Sequence, residues 1–221
     1  AKGFRFFDGD LNWEEPEVLM PREPQQIRRA LDKLRADGLP IAYDVETDAK
    51  NPLMARLRCI GFSNTKRAVI IPFRSIDGSP WPKVDEMGVI AREFLMNPPG
   101  PLIGHNAGVY DRLVCEQQLG ITPPLRADTM LLHLLVDNEM PHNLGFITSF
   151  YTDFTEAWKA NHTAIDAKSD EELHIYCAKD CCVTARIAAP LAREVKSRRQ
   201  DHLLLTEHQL QKVGCDMQKI G

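Results

Sequence analysis

Residues 42–48 read AYDVETD, and they follow on from an apolar run that predicts a short strand over Leu39 to Asp44. Alternate residues of a strand share a face, so Asp44 and Glu46 are expected to project to the same side. Two ionised carboxylates this close repel each other unless one takes a proton or a cation lies between them. A divalent cation is the usual remedy for such repulsion, so the stretch is a candidate metal site at the end of a buried strand.

The Asp-x-Glu pattern is weak evidence when it is taken alone. The chain contains it three times, at Asp44/Glu46, Asp137/Glu139 and Asp170/Glu172. The second and third pairs fall at predicted helix ends, where acidic residues commonly face solvent or complement the helix dipole. Only the first pair ends a predicted buried strand, which makes it the candidate ligand pair.

Strands are predicted in the first half of the chain and helices in the second. Two apolar runs after the first strand flank a polar turn, so the first three strands are expected to be antiparallel neighbours. The predicted strands are Leu39 to Asp44, Leu57 to Phe62, Ala68 to Phe73 and Pro101 to Gly104. The predicted helices are 24–37, Val84 to Met96, one from near Asn106, Met130 to Val136, Leu144 to Tyr151, Asp170 to about Val195, and one from Asp201. This order indicates one α/β domain with a helical C-terminal half.

Asp111 lies on the helix that follows the strand ending at Gly104. Asn106, at the turn before it, is suited to the N-cap of that helix. From these residues alone, a surface position for Asp111 is favoured over a place in a site.

Tyr176 and Asp180 are four residues apart, so they stack on one face of a predicted helix. Ser169 and Glu172 form a capping box that sets the start of this helix. At about 100° per residue, Tyr176 and Asp180 share the face that carries the apolar residues Leu173, Val183 and Ile187. An acid on a core-facing stripe needs a partner, which points to a site.

The six cysteines include no CxxC pair and lie mostly in apolar runs, as reduced buried thiols do. His174, Cys177 and Cys181 share a helix stripe and suggest zinc. A structural zinc site needs four ligands, usually from two segments, and this stripe differs from that of Tyr176 and Asp180. Zinc is therefore disfavoured.

The bulk composition is that of a soluble globular protein with one domain: 221 residues, 43% of them hydrophobic and 26% charged. Without a run that predicts a membrane span or a signal segment, the chain is expected to be intracellular. A net charge of -4 argues against a simple basic nucleic-acid binder, but bound cations would add positive charge to a carboxylate site. The basic run 193–199 is interpreted as a solvated helix end.

Three segments together resemble a known family. AYDVETD (42–48), GHNAGVYD (104–111) and YCAKD (176–180) are similar to the three exonuclease motifs of the DnaQ-like superfamily, in its DEDD subgroup with a tyrosine in the third motif. They occur in the family's order, about 65 to 70 residues apart, and all five family positions are filled. The positions are Asp44, Glu46, Asp111, Tyr176 and Asp180.

The resemblance implies a ribonuclease H-like fold, with a mixed central sheet, its first three strands antiparallel, and helices on both faces. It also implies two Mg²⁺ or Mn²⁺ ions held by Asp44, Glu46, Asp111 and Asp180. In that scheme Asp44 bridges both ions, Glu46 and Asp180 complete the site on the nucleophile side, and Asp111 serves the leaving-group side. Oxygen ligands suit these metals better than zinc.

Three further residues take roles only through the resemblance. Tyr176 is expected to orient the attacking water. Thr47 and Asn106 stand where relatives contact the terminal nucleotide. These three are expectations that the residues by themselves do not support.

The segment ADTMLLHLLVDNEMPHNLGFITSFY (127–151) is similar to the proofreading exonuclease domains of family A, DNA polymerase I-like enzymes. This predicts an N-terminal extension of unknown role at 1–20, an exonuclease domain at 21–198, and a C-terminal helix at 199–221 that leads into a polymerase domain of a longer chain.

The expected activity is 3′-5′ exonucleolytic removal of mononucleotides from single-stranded DNA, for proofreading, with no membrane partner. Two alternatives stay open. One is RNA trimming of the ribonuclease D type, and the other is a catalytically silent binding or scaffold domain. The intact set of five motif residues argues against the silent domain.

Overall fold

The computed structural model describes residues 15–154 and 167–220. Its centre is a six-stranded sheet in the order β1-β4-β3-β2-β5-β6. The strands are β1 (Glu17–Leu19), β2 (Ile41–Thr47), β3 (Leu57–Ser63), β4 (Arg67–Pro72), β5 (Leu102–Gly104) and β6 (Leu125–Asp128). Residues 1–14 of the predicted N-terminal extension lie outside the described part of the chain.

The predicted antiparallel arrangement of the first three long strands is confirmed, because β3 pairs antiparallel with both β2 and β4. The two edge strands, β1 and β6, were not predicted; they pair parallel with β4 and β5. Each has only three or four residues and no apolar alternation, so local pattern does not reveal it. Their pairing with longer neighbours makes them strands.

The strand predicted over Leu39 to Asp44 corresponds to β2, which continues beyond the predicted end to Thr47. It pairs with β3 along nearly its whole length but with β5 only at Ile41 and Ala42. Both acidic residues of the first motif therefore lie within the strand. Because β5 is short, the carboxyl end of β2 is open on that side to residues from other elements.

Seven helices surround the sheet in the described residues. They are α1 (Pro24–Asp37), α2 (Val84–Met96), α3 (Tyr110–Leu119), α4 (Thr129–Val136), α5 (Leu144–Tyr151), α6 (Asp170–Ser197) and α7 (Asp201–Ile220). The first three pack with the sheet in the largest apolar core. Helix α6 packs against β3 and β4 in a second core and against α4 and α5 in a third. The fold is thus the predicted mixed α/β domain with a helical C-terminal half.

Two predictions about helix starts have different outcomes. The capping box is confirmed at Ser169, whose hydroxyl accepts the N–H of Glu172 at 3.1 Å, although the Glu172 carboxylate accepts the N–H of Lys168 rather than that of the cap itself. The predicted N-cap at Asn106 is wrong. Helix α3 begins four residues later, at Tyr110, because Asn106 adopts a left-handed backbone with φ 55°.

Helix α7 packs against the domain through one side. Cys215 is fully buried there, Lys219 pairs with Glu116 at 2.6 Å, and the Gln211 amide donates to Asp128 at 3.2 Å. Its other side exposes apolar residues, among them Leu210, Val213, Met217 and Ile220. None of the helices in residues 15–154 and 167–220 is long and apolar enough to cross a bilayer.

Candidate active site

Asp44 and Glu46 lie on one face of β2, toward its carboxyl end. Asp44 is partly buried, and Glu46 is only 7% exposed. A carboxylate oxygen of each, together with the sulfur of Cys177, forms a group in which all ligand atoms lie within 4.8 Å of one another. The predicted ligand pair therefore exists, and it has a sulfur neighbour.

Asp111 joins this pair from the first turn of α3. It is 7% exposed, and its Oδ1 accepts the backbone N–H of Val45, between the two acidic residues of β2, at 3.2 Å. The surface position that the local pattern favoured for Asp111 is wrong. The cause is tertiary: α3 packs over the open end of β2, which turns its first residues inward.

Helix α6 contributes Asp180, which is buried, and Tyr176, which is partly buried one turn earlier. The apolar residues that share their face, Leu173, Val183 and Ile187, are fully buried, as the periodicity predicts. Tyr176 packs against the apolar core that α4, α5 and α6 form. The core-facing direction of this stripe is confirmed.

Burial and nearby negative charges both raise the pKa of Asp44. Burial is the larger cause, and the charges of Glu46, Cys177, Asp111 and Asp180 add to it, so that the pKa of Asp44 lies well above its usual range. The other three predicted ligands therefore lie close enough to Asp44 to affect its charge. A divalent cation would remove this repulsion, and the oxygen-rich set of donors fits Mg²⁺ or Mn²⁺.

Asp111 is affected in the same direction. Burial raises its pKa to about 7, against the opposing hydrogen bond from Val45, and the charges of Asp128 and Cys177 contribute to the rise. Carboxyl groups with strongly perturbed pKa values are typical of functional sites.

Cys177 lies beside this site, although its helix stripe differs from that of Tyr176 and Asp180. Its thiol is fully buried and faces β2, with Sγ 3.9 Å from the backbone oxygen of Asp44. Helix α6 crosses the sheet closely enough that two neighbouring stripes both face it. Cys177 and Asp180 therefore lie on different stripes of α6, yet Cys177 is still close to the two acidic residues of β2.

The zinc interpretation with His174 gains no support from the geometry. In residues 15–154 and 167–220, the metal-compatible group of His, Cys, Asp and Glu side chains is Asp44, Glu46 and Cys177. His174 is buried beside Trp81, with ring centroids 6.0 Å apart.

Thr47 and Asn106, the two expected nucleotide contacts, have different surroundings. Thr47 is buried, and its hydroxyl lies 2.5 Å from the Tyr110 hydroxyl and donates to the backbone oxygen of Ala49 at 3.1 Å. Asn106 is exposed on the loop between β5 and α3. Its backbone N–H is already used, because it donates to Asp128 at 2.9 Å.

The Asp128 carboxylate is hydrogen-bonded to the backbone of that loop. Its fully buried carboxylate accepts the N–H groups of Asn106 and Ala107, at 2.9 and 3.0 Å, and that of Met130, at 2.9 Å. The bond from Met130 makes Asp128 the N-cap of α4. The two bonds to the loop that leads to Asp111 join residues more than 20 positions apart, so no local sequence pattern encodes them.

Comparisons with known proteins agree with this geometry. A family model described as 3′-5′ exonuclease matches residues 19–196. DNA polymerase I from Synechocystis sp. is 25% identical over 237 residues, an alignment that covers 97% of this chain and 23% of that protein. The chain thus spans about a quarter of the length of this curated relative.

Two solved structures share the fold. NrnC from Brucella melitensis, with bound Mg²⁺, has a TM-score of 0.63 and 18% identity, over 93% of this chain and 92% of that one. RNase D from Escherichia coli, an exoribonuclease involved in structured RNA processing, has a TM-score of 0.66 and 16% identity, over 91% and 51%. Their likeness confirms the predicted fold. With a family model that matches most of its length, the chain belongs to the 3′-5′ exonuclease family.

Proposed function

We propose that this domain is a divalent-metal-dependent exonuclease that releases nucleoside monophosphates from the 3′ end of single-stranded DNA. The observation that supports it most is the meeting of four carboxylates from β2, α3 and α6, where burial and then mutual repulsion raise the pKa of Asp44. A protein maintains such an arrangement at a cost in stability, and active sites are where such costs are typical.

Asp44, Glu46, Asp111 and Asp180 would hold two Mg²⁺ or Mn²⁺ ions, which fit their oxygen donors. When bound, such ions lower the pKa of water and stabilise the charge that develops on a departing oxygen. The bound Mg²⁺ of the Brucella melitensis NrnC structure supports this choice of metal.

The remaining proposed roles belong to side chains around the carboxylates. The Tyr176 hydroxyl would hydrogen-bond the attacking water and so fix its direction. Asn106, exposed on its loop, would contact the terminal nucleotide, and Thr47 would line the same position from β2. The Val45 N–H keeps Asp111 in register with the two acidic residues of β2.

DNA is the proposed substrate because the curated relative is a DNA polymerase I. We propose the same division of the chain that the resemblance implied: an exonuclease domain at 21–198, and a helix at 199–221 that connects to a polymerase in a longer protein. In that setting the activity would be proofreading.

The test is a shortening assay with end-labelled single-stranded DNA and RNA of equal sequence, in Mg²⁺ and in EDTA. The parent protein is expected to shorten the DNA strand in Mg²⁺ only, and to leave the RNA largely intact. Asp44→Asn keeps the size of the side chain but removes the charge, so it should reduce the rate by at least about 100-fold, as the loss of a metal ligand does.

Glu139→Gln is the matched control, since Glu139 belongs to another Asp-x-Glu pair and is exposed after α4. It should shorten DNA as fast as the parent. Equal rates for the parent and Asp44→Asn would refute catalysis at this site. Faster shortening of RNA than of DNA would refute the proposed substrate but leave the catalytic site intact.

A further inference from the structure

Beneath the carboxylates, the packing between α6 and the sheet is rich in sulfur. Four of the six cysteines, Cys59, Cys177, Cys181 and Cys182, belong to one buried core. The thiol of Cys177 hydrogen-bonds with those of Cys59 and Cys181. Buried thiols usually serve as small apolar side chains, and three of these four need no other role.

Cys177 differs from the others because of where its sulfur lies. Together with one carboxylate oxygen from Asp44 and one from Glu46, Sγ forms a set with all separations within 4.8 Å. A tetrahedral ion with bonds of about 2.0 to 2.3 Å holds its ligand atoms roughly 3.5 Å apart. Side-chain movements of about an ångström would therefore bring the three ligand atoms to the separations that an ion requires.

We propose that Cys177, Asp44 and Glu46 form an inhibitory site for a thiophilic divalent cation, of the class of Zn²⁺ and Cd²⁺. Sulfur ligands select such ions, whereas Mg²⁺ and Mn²⁺ prefer oxygen. The Cys177 thiol gives up its proton to solvent when the ion binds. Three protein ligands leave a fourth position for water, as in open zinc sites.

Inhibition follows from the shared ligands. Asp44 and Glu46 cannot serve the thiophilic ion and the proposed catalytic ions in the same geometry, so the two kinds of ion compete. Asp44 is only partly buried, which gives an ion a way in from solvent, while Cys177 closes the inner side. This inhibitory consequence rests on the proposed function, but the binding itself does not.

Binding is measured first, on the metal-free protein, by titration with Cd²⁺ while following the ultraviolet charge-transfer absorption of the cadmium–sulfur bond. The parent is expected to show this absorption with one equivalent of Cd²⁺. Cys177→Ala should lose the absorption and weaken Cd²⁺ binding by at least about tenfold. Cys177→Ser retains the size of the side chain and should also lose the absorption.

Cys115→Ala is the matched control, because Cys115 is equally buried but belongs to the core on the α1–α3 side. It should keep the absorption of the parent. Absorption that persists in both Cys177 variants, or that disappears in Cys115→Ala, would overturn the proposal.

The second measurement is DNA shortening in Mg²⁺ with increasing Cd²⁺, each variant compared with its own rate without Cd²⁺. The parent and Cys115→Ala should be inhibited at Cd²⁺ concentrations at least about tenfold lower than those that inhibit Cys177→Ser. Equal sensitivity of all three would overturn the inhibitory role. A parent without activity in Mg²⁺ would instead refute the proposed function, and the absorption titration would still decide whether the site binds.

Discussion

The pKa of Asp111 depends on its burial, on nearby charges and on a backbone hydrogen bond. Its carboxylate receives the N–H of Val45, yet burial and the charges of Asp128 and Cys177 raise its pKa to about 7. In the unfolded chain an aspartate has a pKa of about 3.9. Between these values the folded protein holds a proton that the unfolded chain has lost, so a rise in pH through this range destabilises the metal-free fold.

Asp111→Asn is therefore expected to stabilise the metal-free protein at pH 8 by on the order of 1–3 kcal/mol, because it removes the charge and keeps an oxygen for the Val45 N–H. The gain should shrink as the pH falls from about 7 and reach its minimum below about 4, where the parent carboxyl is protonated in both states. Urea unfolding in EDTA at pH 5 and pH 8 measures the difference.

Glu139→Gln controls for the general effect of losing one negative charge, and its stability should stay within about 0.5 kcal/mol of the parent at both pH values. If Asp111→Asn is less stable than the parent at pH 8, the Val45 hydrogen bond outweighs the repulsion, and the charge argument for this residue is wrong.

At the scale of elements, the close approach of α6 to β3 depends on Gly61. A Cβ there would lie 2.6 Å from the sulfur of Cys181 and 2.8 Å from that of Cys177. Both sulfurs are fully buried and packed, so they have little room to move. The absence of a side chain at this one strand position allows α6 to bring Asp180 and Cys177 close to β2.

Gly61→Ala is expected to lower the free energy of unfolding by about 1–3 kcal/mol, the usual cost of overpacking a core. Gly214→Ala is the matched control, because a Cβ at this position in α7 meets nothing within 4 Å. In a helix the same exchange should raise stability by up to about 1 kcal/mol. Urea unfolding measures the free energy of unfolding of both variants. It should be lower than that of the parent in Gly61→Ala and higher in Gly214→Ala, and changes of the same sign would contradict the role of Gly61.

The attachment of α7 to the domain depends on a charge pair. Glu116 lies partly buried on α3 and accepts hydrogen bonds from Lys219 at 2.6 Å and Arg112 at 2.9 Å. Burial alone would raise the pKa of Glu116, but the hydrogen bonds from Lys219, Arg112 and Thr122 lower it to about 2. The stabilisation is therefore complete above the unfolded pKa, near 4.3, and disappears as the pH falls through about 2.

Glu116→Gln should lower the free energy of opening α7 at pH 7 by about 1 kcal/mol, which is at the upper end of the stabilisation that surface ion pairs give. Hydrogen exchange of the α7 amides measures the effect, which should diminish as the pH falls from about 4 toward about 2. Asp216→Asn is the control, because Asp216 is exposed and 3.8 Å from the same lysine. Equal effects of the two substitutions would contradict a specific role for Glu116.

At the scale of the whole molecule, Asp128 joins three parts that are distant in sequence. Its carboxylate accepts N–H groups from the β5–α3 loop and from α4, and the amide of Gln211 from α7. A buried acceptor with this many donors is costly to alter, since each donor would lose its partner. The loop that it holds leads directly to Asp111.

Asp128→Asn is expected to reduce DNA shortening by about 10- to 100-fold at a temperature where the protein remains folded, as the loss of an outer support of a metal site does. Stability should fall by about 1–3 kcal/mol. Gln211→Ala removes only the contact with α7 and should cost less in both measurements. Full activity in Asp128→Asn would show that the loop keeps its position without this carboxylate.

Much of the fold was predictable because its signals are local. The antiparallel β2–β4 arrangement follows from apolar runs around a polar turn, and α1 follows from its amphipathic pattern, which Gly38 ends with φ 63°. The edge strands β1 and β6 were not predictable. Their few residues carry no strand pattern, and they become strands only beside β4 and β5.

The sequence by itself determined the order and spacing of Asp44, Glu46, Asp111, Tyr176 and Asp180, and the core-facing direction of the last two, because helix and strand periods are properties of neighbouring residues. Only the tertiary structure decided that Asp111 is buried against Val45, that Cys177 lies beside the carboxylates, and that Asp128 holds the Asn106 loop. Each of these contacts joins residues more than 20 positions apart. Their geometry depends on how α3 and α6 pack across the sheet, and no local period encodes that.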